Sequence, residues 1–213
     1  MAEFALYCFD KSGNSYKVAL MLELTGADWA PRLVDYFNGE THGEPYRAMN
    51  EMGEAPVLIH GDLTLTQSGV ILDYLADTTG RFGAGTAAER RDIWRWILFD
   101  NHKLTSYTAT LRSLRSIVKT GETPVTEFLH KRASAAWSIL DRHLGARSFV
   151  VGERPTIADL SLCGYLFYDG EIGIETRDYP AIAAWLARIR ALPGWRHPYD
   201  LMPAAPLPVK AAS

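Results

Sequence analysis

Cysteine is scarce: Cys8 and Cys163 are the only two in 213 residues, far apart and without the spacing of metal ligands. A disulfide framework and a metal site are therefore not expected, and a reducing cytoplasm is the expected compartment. No apolar run approaches the roughly 20 residues of a membrane span. The opening Met-Ala-Glu-Phe-Ala-Leu-Tyr lacks the basic head and long apolar stretch of a secretory signal. Basic residues are in slight deficit, and a formal net charge of -3 gives no reason to expect nucleic acid. No internal repeat is visible. What is present is ordinary soluble-globular stuff, 47% apolar and 22% charged, with six tryptophans and ten tyrosines that suit a core or an apolar pocket. The length allows one large or two small domains.

The pattern divides the chain. Phe4 to Phe9 reads as a buried strand, and Asp10-Lys11-Ser12-Gly13-Asn14-Ser15 as a polar turn with helix-start chemistry. Val18, Leu20, Met21, Leu22 and Leu24 then supply a helix that Gly26 stops. Arg32 to Tyr36 is a second strand candidate and Pro45 to Asn50 a short helix or an irregular segment. Pro56 to His60 and Leu63 to Thr66 form two short strands around the Gly61-Asp62 turn, and a helix begins at Gln67-Ser68. This order implies a small mixed sheet with helices on its faces, a thioredoxin-like domain over 1–77. Residues 78–86 gather glycines and lose periodicity, which predicts a linker.

From 87 to 213 no strand pattern appears, and an all-α domain is expected. Ala87 to Val118 is one long helical stretch whose Trp94, Trp96, Ile97, Leu98 and Phe99 imply burial on more than one side. Pro124 to Leu144, with Phe128 among its inward residues, and Pro180 to Leu192 are further helices. Thr156 and Asp159 form a capping box ahead of an apolar helix. The tail from Met202 is expected to be extended and mobile.

Two features carry chemistry. Pro56 cannot donate to a sheet ladder, so it belongs at a strand entrance or in a cis peptide, leaving the backbone of Val57 to pair with something peptide-like. Ser68 places a hydroxyl beside the unpaired amides of a helix start, a seat for a carboxylate. Together they describe a site for a short acidic peptide. With Gly152 to Leu160 downstream, the block from Gly53 to Leu75 resembles the glutathione transferase family, and the resemblance covers roughly residues 3 to 200.

That resemblance implies a glutathione transferase architecture, glutathione as cosubstrate, a small apolar electrophile as second substrate, a detoxification role and a homodimer. Ser12 or Ser15 would activate the thiol, Ser12 being favoured, with Asn14 also in reach. A hydroxyl there could double as a simple helix cap. Ala55, Pro56 and Val57 would pair with the peptide, Gln67 and Ser68 would hold the γ-glutamyl end, and Asp100 would assist its amine. Thr41, His42 and Glu54 match the glycyl end, although an acid at Glu54 would repel a carboxylate. Phe99, His102, Lys103 and Tyr107 would form the second-substrate wall. A non-catalytic binding module of the same fold is the alternative.

Overall fold

The computed structural model describes residues 2–168 and 170–207. Four strands, β1 (Phe4–Cys8), β2 (Trp29–Leu33), β3 (Val57–His60) and β4 (Leu63–Thr66), form one sheet in the order β2-β1-β3-β4. β1 runs parallel to β2 and antiparallel to β3, and β3 is antiparallel to β4. Helices α1 (Gly13–Thr25), α2 (Glu44–Met49) and α3 (Ser68–Thr79) complete this part. The mixed sheet with flanking helices is the expected thioredoxin-like arrangement. β2 lies three residues before its expected position. It is an exposed edge strand, which accommodates Pro31 without loss of a ladder bond but shows no apolar alternation.

The rest is helical: α4 (Ala87–Phe99), α5 (Thr105–Arg112), α6 (Pro124–Leu144), α7 (Ile157–Leu162), α8 (Pro180–Arg190) and α9 (Pro198–Leu201). The long stretch from Ala87 to Val118 is interrupted by wide turns at Asp100–Leu104 and Ser113–Val118, where the bonds run from i+5 to i. α4 buries Ile93, Trp96 and Ile97 but leaves Leu98 62% exposed, so it is not enclosed on several sides. Phe128 on α6 also points outward, contrary to the sequence pattern. The capping box ahead of α7 is present: Asp159 accepts from the Thr156 amide and hydroxyl, and also from Val150 N–H and Trp185 Nε1. Among the described residues no helix is long and apolar enough to cross a membrane, and no metal-ligating cluster occurs.

α1 is the central element, buried almost all round between α3, α7 and α9. Even Lys17 on it is fully buried, its ammonium 2.7 Å from Asp100 Oδ2. Asp100 also accepts from Thr105 Oγ1 and Ser161 Oγ, so one carboxylate joins α1, α5 and α7. Gly164 is required here, because a Cβ would stand 2.7 Å from the Lys17 stem and 2.8 Å from the Gly13 carbonyl.

The tail is fastened where mobility was expected. Met202 and Ala205 are buried, and Pro203 accepts from the Asp10 amide at 2.9 Å. The Ala205 amide donates to Asp10 Oδ1, and Lys11 Nζ reaches the Ala205 carbonyl. Residues 208–213 lie outside the described residues.

Candidate active site

Two cavities meet at the first turn of α1. The larger, about 330 Å³, is lined by Lys11, Ser12, Asn14, Tyr36, Arg112 and Tyr165 among others. The smaller, about 40 Å³, is lined by Asn14, Glu54, Ala55, Pro56, Gln67, Ser68 and Asn101. Asn14, Glu54 and Ala55 belong to both, so the two cavities are neighbours.

Ser12 ends the loop after β1 and caps α1. Its Oγ accepts the Ser15 amide at 3.1 Å, its backbone is extended, and its side chain faces the larger cavity. Capping uses a lone pair on the oxygen and leaves the hydroxyl hydrogen free to donate. The cap role and a donor role are therefore compatible in one side chain. Ser15 is fully buried one turn deeper, with its Oγ unpartnered and away from both cavities. Asn14 lines both spaces, while its Oδ1 is buried without a partner.

The small cavity sits on the start of α3. The first bond of this helix runs from the Ile71 amide to the Gln67 carbonyl, so the amides of Ser68, Gly69 and Val70 have no acceptor within it. Such a terminus attracts an anion. Gln67 adopts φ 65°, a left-handed backbone that non-glycine residues rarely hold. Its side chain donates to Glu54 Oε2 at 3.1 Å. On the other side the Ala55–Pro56 peptide is cis. Val57 is fully buried and paired with both Tyr7 and Thr66 as part of a central strand, so it faces neither cavity. The backbone open to a ligand belongs to Ala55, just outside the sheet.

Both halves of this arrangement match a known family. The N-terminal-domain model of glutathione S-transferases matches residues 2–77, and the C-terminal-domain model residues 105–193. A solved glutathione S-transferase from Pseudomonas fluorescens is 31% identical, with a TM-score of 0.88 over 93% of this chain and 100% of that one. The chain belongs to the glutathione S-transferase family. Glutathione S-transferase F14 from Arabidopsis thaliana is 28% identical over 100% of this chain and 91% of its own. Maleylacetoacetate isomerase from Rhizobium meliloti is 27% identical over 85% and 89%.

Several residues expected at the site of such a transferase stand elsewhere. Asp100 is fully buried in the Lys17 network, and its neighbour Asn101 lines the small cavity instead. Phe99 packs edge-on against Trp96, with ring centroids 5.3 Å apart. His102 is exposed, Lys103 is half-buried, and Tyr107 accepts from Arg132 at 3.2 Å, which pulls its phenol pKa down. None of these four lines the cavity beside Ser12; Ala109, Thr110, Arg112, Ser113 and Ile117 form that wall one to two turns further along. Thr41 is buried and His42 exposed on a short turn, both away from the cavities.

Arg112 is a residue that sequence reasoning missed. Its fully buried guanidinium donates to the Lys11 carbonyl at 2.7 Å, bonds Glu171 and Tyr199, and lies 3.7 Å over the Tyr168 ring. The carbonyl it holds immediately precedes Ser12. No local pattern marks such a residue, since its partners lie up to 101 positions away. Cys8 is buried in β1, and burial pushes its thiol up to about 12, which removes it as a nucleophile.

Proposed function

We propose that the protein binds glutathione across the two cavities and transfers its thiolate to a small apolar electrophile. The observation that carries this reading is the shared border of the cavities: the start of α3 lines one, Ser12 lines the other, and Asn14, Glu54 and Ala55 line both. The γ-glutamyl carboxylate would rest on the amides at the start of α3 with Ser68, and the backbone of Ala55 would pair with the cysteinyl unit. The sulfur would then lie near Ser12. A free thiol with a pKa of about 8.5 is only a few per cent ionised at neutral pH. Donation from Ser12, with the positive end of α1 behind it, favours the thiolate. The sulfur forms the new bond to carbon as the leaving group departs with its electron pair, and the thiol proton passes to solvent.

A glutathione-dependent isomerisation is the second reading, favoured by the likeness to maleylacetoacetate isomerase. In it the sulfur adds to the substrate and later leaves again. Thermal melting with millimolar glutathione tests the binding common to both. A ligand at 100 times its dissociation constant adds about 2.7 kcal/mol, which raises Tm by roughly 5–11 °C in a chain of this size. No shift would exclude both readings in favour of a non-catalytic module. Glu54 lines both cavities and its carboxylate accepts from Gln67 beside the start of α3, so Glu54→Gln should tighten glutathione about two- to fivefold, the scale of a surface charge pair. Unchanged or weaker binding would show that this acid does not face the ligand's carboxylates.

We also infer a homodimer, supported by Val70 on α3 and Leu98 on α4, which stand 47% and 62% exposed. Light scattering should give twice the 23.7 kDa chain mass; the mass of a single chain refutes it.

A further inference from the structure

One side chain from the helical part enters the first turn of α1. Tyr165 follows α7 by three residues, and its ring lies flat against Gly13. A Cβ at Gly13 would stand 2.4 Å from Cδ2 and 2.6 Å from Cε2 and Cγ, so only glycine admits the ring. The ring lines the larger cavity together with Ser12 and Asn14.

The amides of this turn are unequally used. Those of Ser15 and Tyr16 are bonded to the Oγ and carbonyl of Ser12. Those of Gly13 and Asn14 precede the first bond of the helix and have no acceptor within it. We propose that Tyr165 is a second hydrogen-bond donor to the reacting sulfur, acting from the helical part beside Ser12. The proposal rests on the glutathione reading above and adds to it a residue from outside the sheet-bearing part.

A phenol oxygen can accept from two donors and give one hydrogen. Among the described residues no hydrogen bond to protein engages the Tyr165 hydroxyl, and it is not among the buried unpartnered atoms, so its hydrogen is free for a ligand in the cavity that Tyr165 lines with Ser12. Burial pushes the Tyr165 phenol up, against the opposing pull of Arg112 and of the Asn14 and Gly13 amides, while Tyr36 pushes it further up. The hydroxyl therefore keeps its proton through the neutral range. The other charged and titratable groups facing this space are Lys11 and Glu54 on the cavity wall and Tyr168, whose ring centroid is 6.0 Å away.

Tyr165→Phe tests this with the ring retained on Gly13. The readouts are the ultraviolet thiolate absorbance of bound glutathione against pH, and kcat with KM for glutathione. The expected result is a thiol pKa about one unit higher, a roughly tenfold loss of kcat at neutral pH and an unchanged KM. A packing role alone would lower Tm and leave the thiol pKa in place, and that outcome overturns the proposal. Fluorotyrosine at position 165, a stronger donor of nearly the same shape, should move the thiol pKa down; an unmoved value also overturns it. Wild-type protein that shows no melting shift with glutathione refutes the underlying reading, and the proposal with it.

Discussion

Asp100→Ala is expected to lower stability by about 3–5 kcal/mol, because it strands the Lys17 ammonium in the interior. Both side chains are fully buried, 2.7 Å apart, and the carboxylate is otherwise satisfied by Thr105 and Ser161. Taking two charges out of water is costly, and their attraction offsets that cost only while every partner is in place. Removing one partner leaves the desolvation of the other uncompensated. For a chain of this length the loss corresponds to a Tm lower by roughly 6–20 °C. Lys17→Met should do comparable damage, whereas Lys17→Met with Asp100→Leu should lose less than the sum of the single changes. Urea unfolding of the three variants measures this. A single-variant loss below about 1 kcal/mol would mean that water reaches the pair.

Ser12→Ala is expected to cut kcat by about 10²–10³, the usual cost of deleting one donor to a developing or resident anion. It also removes the cap on α1, worth about 1 kcal/mol of stability, so melting and turnover must be measured together. Ser15→Ala provides the control. Its hydroxyl is buried and unpartnered, and its deletion should leave turnover within about threefold and stability equal or higher. The thiol pKa seen in the pH profile of the conjugation rate should rise in Ser12→Ala alone. Equal effects from the two serines would assign the thiol to a different donor.

The parts of the molecule that were readable from sequence are those built by neighbours in the chain. The cap at Ser12, the hairpin around Gly61-Asp62, the start of α3 at Ser68 and the box at Thr156 and Asp159 each depend on residues within a few positions. What sequence misplaced depends on distant contacts or on broken periodicity. Asp100 was placed at a ligand by the family resemblance, and the partners that hold it inward include Lys17 and Ser161, 83 and 61 positions away. Val57 was taken as an open edge because the sheet order, which buries β3 between β1 and β4, is not written locally. Arg112 and Tyr165 reach the first turn of α1 across about 100 to 150 positions, leaving no periodic trace. The helical character of the second part was legible in the apolar spacing of α6 and α8, whereas the two wide turns and the short α9 left no such signal.

The strap of Pro203 and Ala205 on Asp10 sets an order on the birth of this molecule. Ser12 leaves the ribosome early, but the anchor of its loop is 195 positions away. At about 5–20 residues per second, roughly 10–40 s separate the two events. During that interval the nascent chain can hold every residue of the small cavity while the loop that carries Ser12 lacks the strand-like partner that fixes it.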